Sequence, residues 1–188
     1  MDYIRYVIEP HADDAFLSLG GHIARWIKKD IPVKIITVFA TEKRAAEAKA
    51  YADSVGADHE WLGYEEAGDM DDCKYGDIEL PEFRNSLVYV PLGLRHREHY
   101  KVAAAAFSQL QYGENGVGLY SYLDQPYAMQ LKNQEEMQIK MYGKQIVSIY
   151  KPKATKYAKK TIDIFKTQSR FFYFNKDILP FITELVVK

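Results

Sequence analysis

The chain has a single cysteine, Cys73, so no disulfide can form within it. That fits a reducing compartment. The sequence opens without a basic segment followed by an apolar stretch. No apolar run approaches the ~18 residues of a membrane-spanning helix. The expectation is a cytoplasmic protein with no transmembrane segment. Charge of one sign is also lacking: 25 Lys and Arg stand against 26 Asp and Glu, a net charge of −1. No basic stripe marks a nucleic-acid partner. The one basic cluster, 151–160, is interleaved with Tyr and Pro and reads as a solvated surface. Gly20-Gly21 does not make a Gly-x-Gly-x-x-Gly loop, and no phosphate-loop lysine pattern exists. A nucleotide-binding role is therefore disfavoured. Internal repeats and low-complexity segments are absent.

What is present is an ordinary globular balance, 47% hydrophobic and 27% charged over 188 residues. That is enough for one sizeable core and one domain spanning 1–188. The 15 Tyr suit half-buried sheet positions and also clefts that handle sugars. Alternation over 3–9 predicts a strand, and apolar residues at helical spacing predict a helix over 16–29. A near-continuous apolar run over 33–39 predicts a strand buried on both faces. An Ala/Glu/Lys-rich helix over 42–55 ends at Gly56. Further strands are expected at 59–62, 87–90, 119–123 and 182–187, and helices at 97–110, 129–142 and 157–170. The acidic stretch 63–84, with Asp69, Asp71 and Asp72, reads as a long solvated loop. Strands alternating with helices argue for an α/β fold, a mostly parallel sheet with helices on both faces. Chemistry in such folds sits beyond the carboxyl ends of the strands.

Two of those strand ends carry the useful side chains: Pro10-His11-Ala12-Asp13-Asp14-Ala15, and Arg95-His96-Arg97-Glu98-His99. Three of the five histidines lie there, beside two adjacent carboxylates. A catalytic zinc site wants three His or carboxylate ligands and an open position, which His11, Asp14 and His99 can supply. Asp13 is left over as a general base. His96 and His99 share one helix face, so one can bind the metal while the other acts on the substrate. His96 would then stabilise an oxyanion or assist a leaving amine, with Glu98 as its hydrogen-bond partner.

At these residues the sequence resembles the PIG-L/LmbE-like N-acetylglucosaminyl deacetylases. Pro10 to Ala15 is similar to that family's His-Pro-Asp-Asp-Glu motif, followed here by Leu19-Gly20-Gly21-His22-Ile23-Ala24. Arg44 and Glu47 match its Arg-x-x-Glu. Pro91-Leu92-Gly93 and His96 to His99 resemble its Pro-Leu-Gly and His-x-Asp-His. Tyr122 to Ala128 and Phe165 to Gln168 resemble two later segments. The resemblance implies a Rossmann-like three-layer sandwich. It also implies a zinc-dependent N-deacetylase with His11, Asp14 and His99 as ligands, Asp13 as base, His96 assisting the tetrahedral intermediate and Arg44 contacting substrate. Fe²⁺ or Co²⁺ would suit the same donors. The implied partner is a small amino sugar or glycoconjugate, and oligomeric state is left open. Three positions depart from the pattern: Ala12 replaces Pro, Ala15 replaces Glu, and Glu98 replaces Asp. The loss of Glu at position 15 keeps a second reading open, a non-enzymatic glycan-binding protein on the same fold.

Overall fold

The computed structural model describes residues 3–66, 77–110, 113–129, 134–150, 164–168 and 184–188. In chain order the elements are β1 (Ile4–Glu9), α1 (Asp14–Ile27), β2 (Val33–Phe39), α2 (Glu42–Val55), β3 (Asp58–Tyr64), β4 (Ser86–Pro91), α3 (Arg97–Gln109), β5 (Val117–Tyr122), α4 (Gln134–Met141), β6 (Ile146–Tyr150) and β7 (Glu184–Val187). The strands form one seven-stranded sheet in the order β3-β2-β1-β4-β5-β7-β6. The first five strands run parallel, and β7 is antiparallel to both β5 and β6.

Strand periodicity sorts the core into two layers. Val7, Val33, Ile35 and Tyr89 face Leu19, Ile23 and Trp26 of α1 and Tyr51 and Ala52 of α2. Ile8, Ile36, Val38, Val88 and Val90 face Val102, Ala105 and Ala106 of α3. Each fully buried aliphatic side chain contributes about 1.5–3 kcal/mol of transfer free energy. The two faces together make the expected α/β sandwich. The chain winds outward from β1 to β3, then returns to β4 on the other side of β1. Strand order therefore reverses between β1 and β4, and the loops leaving these two strands flank a crevice.

The second helix is delimited by local signals. Thr41 caps α2, its hydroxyl accepting from the Arg44 N–H at 3.4 Å. Gly56 ends the helix in the left-handed region at φ 86°, where glycine alone carries no Cβ penalty. The third β-strand runs past the expected 62 to Tyr64.

The last third departs most from expectation. The edge strand β6 has no counterpart among the expected strands; it is five residues long and, among the described residues, pairs only with β7. Polar contacts fasten this antiparallel strand pair to α1. The His22 ring contacts Glu184 Oε2 at 2.7 Å through Nδ1 and Ser148 Oγ at 2.8 Å through Nε2. Of the helix expected over 157–170, residues 157–163 and 169–170 lie outside the described residues, and Lys166–Gln168 is a single 3₁₀ turn. Phe165 is fully buried there, and Thr167 donates its N–H and hydroxyl to Glu47 at 2.9 and 2.5 Å. These tertiary contacts override helical propensity. Cys73, the acidic residues Asp69, Asp71 and Asp72, and the basic cluster 151–160 lie outside the described residues. Among the described residues, no helix is long and apolar enough to cross a membrane.

Candidate metal centre and cleft

The loop leaving β1 turns at once into α1. Within it the His11 N–H donates to Asp14 Oδ2 at 2.8 Å, and the Asp14 N–H donates to the His11 carbonyl at 3.2 Å. Both side chains are thereby held on one side of the turn. The loop leaving β4 passes through Gly93 at φ +80°, where a Cβ would lie 3.0 Å from that of Ala103. Arg95 follows at φ 65°, a left-handed conformation uncommon for a side chain of this size. That turn delivers His96 as the N-cap of α3, with its Nδ1 accepting from the Glu98 N–H at 3.4 Å.

The two loops bring the predicted ligands together. Asp14 Oδ2 lies 3.3 Å from His11 Nδ1 and 3.2 Å from His99 Nε2. Each histidine spends its other ring nitrogen on a buried carboxylate: His11 Nε2 on Glu98 Oε2 at 2.5 Å, His99 Nδ1 on Asp124 Oδ1 at 2.5 Å. Asp124 is in turn fixed by the N–H groups of Gly93 and Leu94 at 3.0 and 3.3 Å. Such carboxylate–histidine pairs fix the tautomer and raise the basicity of the nitrogen that faces a metal. His99 is fully buried, and its Nε2 has no hydrogen-bond partner although it points toward Asp14. One donor atom from each of His11, His96 and His99 also lies within 4.8 Å of the others. An orphaned buried nitrogen amid carboxylate-supported imidazoles is what a nitrogen/oxygen metal site requires. The residues present fit a divalent ion.

The electrostatics agree. Burial disfavours charge on His11, yet hydrogen bonds to Asp14 and Glu98 outweigh it and raise its pKa to about 9. Burial likewise opposes charge on His99, but Asp14 and the bond to Asp124 raise it to about 10. Burial would push Asp14 up, and the positive His99 and the His11 bond instead hold it well below the usual carboxylate range. His96 moves the other way, lowered by burial and then by the charges of His11 and His99. Both effects favour the neutral imidazole. Its Nδ1 is an acceptor, so its proton sits on Nε2.

A cleft of about 150 Å³ opens over this cluster, lined by His11, Asp13, Asp14, Leu17, Arg44, Glu66, His96, Gln125, Pro126 and Tyr127. Asp13 Oδ1 accepts from Arg44 Nη2 at 2.7 Å, and Arg44 Nη1 donates to Glu66. Burial raises the Asp13 pKa against the lowering effect of Arg44, which makes Asp13 a better proton acceptor than an exposed carboxylate. Glu9 lies beneath, and burial pushes its carboxyl up to about 8. A larger cleft, about 220 Å³, lies near the amino end of β5 between Leu80, Phe83, Leu110 and Val117 and contains no histidine.

The structure gathers His11, Asp13, Asp14, Arg44, His96, Glu98 and His99 into one region. Glu98, expected beside His96, bonds His11 instead and stands 3.7 Å from His96 Nδ1; its extra methylene, relative to Asp, gives it that reach. Sequence reasoning assigned no role to Asp124, Glu66 or Glu9. Asp124 had a signal, since it sits in the segment Tyr122 to Ala128 that carries part of the resemblance. Glu9 and Glu66 had none of their own: Glu9 ends a strand, and Glu66 follows Glu65 in the acidic stretch 63–84.

No family model and no curated protein matches the chain. Solved structures do. The A40926 pseudoaglycone deacetylase is 19% identical, with 93% of this chain and 84% of that one covered and a TM-score of 0.58. The zinc-inhibited form of a teicoplanin deacetylase is 16% identical, with 98% of each chain covered and a TM-score of 0.60. A 4-carboxy-2-hydroxymuconate hydratase from Pseudomonas putida is 12% identical, with 98% of this chain and 95% of that one covered and a TM-score of 0.59. The chain has the α/β fold that these deacetylases and this hydratase share.

Proposed function

We propose that this protein is a metal-dependent amide hydrolase that removes acetyl from the nitrogen of an N-acetylglucosamine-type sugar or glycoconjugate. The observation that carries the reading is the pair of carboxylate-backed histidines converging on Asp14, with a separate carboxylate, Asp13, in the same cleft. His11, Asp14 and His99 would hold the ion. Zinc suits this donor set, and Fe²⁺ or Co²⁺ suits it too. When bound, the metal supplies Lewis acidity, acidifying water and polarising the amide carbonyl.

Asp13 takes the proton of the attacking water and returns it to the departing amine, so the products are acetate and a free amino sugar. His96 donates from Nε2 to the carbonyl oxygen as negative charge builds there. Arg44 favours the ionised form of Asp13, holds it at the cleft wall and contacts the substrate from the same wall. The cleft is smaller than the ~300–1,000 Å³ of drug-sized sites, so it takes the reacting acetamide and leaves much of a conjugate outside. The related folds include both deacetylases and a hydratase, so the reaction class follows from the site and not from the fold.

The test is acetate release from a panel of N-acetylated amino sugars by protein reconstituted with Zn²⁺, Fe²⁺ or Co²⁺. Acetate and free amine in equal amounts are expected, stopped by chelation and restored by metal. Binding of the sugars without acetate from any of them would contradict the hydrolase and favour the glycan-binding reading.

A further inference from the structure

Asp13 occupies the N-cap position of α1, and its carbonyl accepts the first helical bond from the Leu17 N–H at 3.0 Å. An aspartate there normally turns its side chain onto the free N–H groups of the first turn. Asp13 does not: it makes no side-chain cap bond and reaches Arg44 instead. The N–H that such a cap would take, that of Ala15, donates to Glu9 Oε2 at 2.8 Å. Glu9 is the last residue of β1, 1% exposed, and in register with Thr37 of β2. Its other oxygen accepts from the Thr37 hydroxyl at 2.6 Å, and that hydroxyl is 2.9 Å from His59 Nε2 on β3. Glu9 thus spans the loop that holds His11, Asp13 and Asp14, from the strand before it to the helix after it. Position 15 is an alanine and brings no side-chain acceptor of its own, and the Glu9 carboxyl group supplies one from the other end of the loop.

We propose that Glu9 is a positioning residue that caps α1 in place of Asp13, and so leaves the Asp13 carboxylate free to face Arg44 and the cleft. If Glu9 could not accept from the Ala15 N–H, that buried donor would be left unpaired, at a cost of about 1–3 kcal/mol. The acceptor that the N-cap position itself would then supply is the Asp13 side chain. Turned onto the helix, Asp13 would leave Arg44 and lose its place as a base. The activity part of the test rests on the reading of Asp13 as that base; the structural part does not.

The test compares Glu9→Gln with Glu9→Met, two side chains of similar size of which only the first can accept from Ala15. Crystal structures of both are expected to show Asp13 on Arg44 in Glu9→Gln and Asp13 on the Ala15 N–H in Glu9→Met. Glu9→Ala replaces Glu9→Met should that variant be insoluble. Turnover in Glu9→Met should fall by about tenfold or more, with zinc content and KM unchanged, while Glu9→Gln stays close to the parent protein. Glu9→Met combined with Asp13→Asn should be no worse than Asp13→Asn alone, since both act through one carboxylate. Asp13 remaining on Arg44 in Glu9→Met would overturn the proposal, whatever the activity. No acetate from the parent protein with the expected shift of Asp13 would leave the positioning role standing and remove the hydrolase reading.

Discussion

Asp13→Asn is expected to lower turnover by about 10²–10⁴-fold, or about 3–5 kcal/mol of barrier, while the protein still binds one equivalent of metal. The substitution keeps size and keeps an oxygen for Arg44 Nη2, the atom that Asp13 Oδ1 meets at 2.7 Å. What it removes is the capacity to take a proton. Asp13 is suited to that task because burial raises its pKa while Arg44 holds it from rising further. An asparagine variant with parental turnover would move the base elsewhere in the cleft. Loss of metal together with turnover would make Asp13 a ligand. Rates on one N-acetylated sugar, read with the zinc content of each preparation, separate these outcomes.

The second large effect is a linkage of metal binding to protons. Without metal, His11 and His99 carry pKa values of about 9 and 10, above the ordinary 6.5. Both are therefore cationic at neutral pH, and each must lose a proton before the nitrogen facing Asp14 can bind a metal. Binding at pH 7 should expel about two protons per ion. The apparent affinity should then rise by about a hundredfold per pH unit between pH 6 and 8, and level off once pH passes both values. Calorimetric titration of Zn²⁺ in two buffers of different ionisation enthalpy counts the protons directly. A count near zero would mean that both imidazoles are already neutral, and that the carboxylates behind them do not hold charge in place.

Much of this arrangement is legible in the sequence, and the limits have physical causes. The apolar run Val33–Phe39 and the helix Glu42–Val55 ending at Gly56 could be read because burial on both faces and a glycine stop are local signals. His11, Asp13, Asp14, His96 and His99 could be placed on one edge because strand ends converge in a parallel sheet. Their partners could not. Asp124 reaches His99 across 25 residues, and Glu98 reaches His11 across 87. Whether Glu98 serves His96 or His11 depends on a side-chain length meeting a loop position, which no spacing rule contains. Glu9 ends a strand whose alternation is equally consistent with an exposed acid; only the fold shows that it is buried under α1. The edge strand β6 is five residues long and has one partner strand among the described residues, and its signal is correspondingly short.

The ligand set is where the account stands or falls, because His96 is near enough to the other two histidines to be a ligand itself. His99 is fully buried and backed by Asp124, whereas the His96 side chain is 35% exposed and lines the cleft. Elemental analysis of the purified protein beside His99→Ala and His96→Ala decides between them. About one metal ion per chain is predicted in the parent protein and in His96→Ala, and none in His99→Ala. Metal lost from His96→Ala and kept in His99→Ala would contradict the assignment of both residues, and no metal in the parent protein after reconstitution would contradict the metal centre itself.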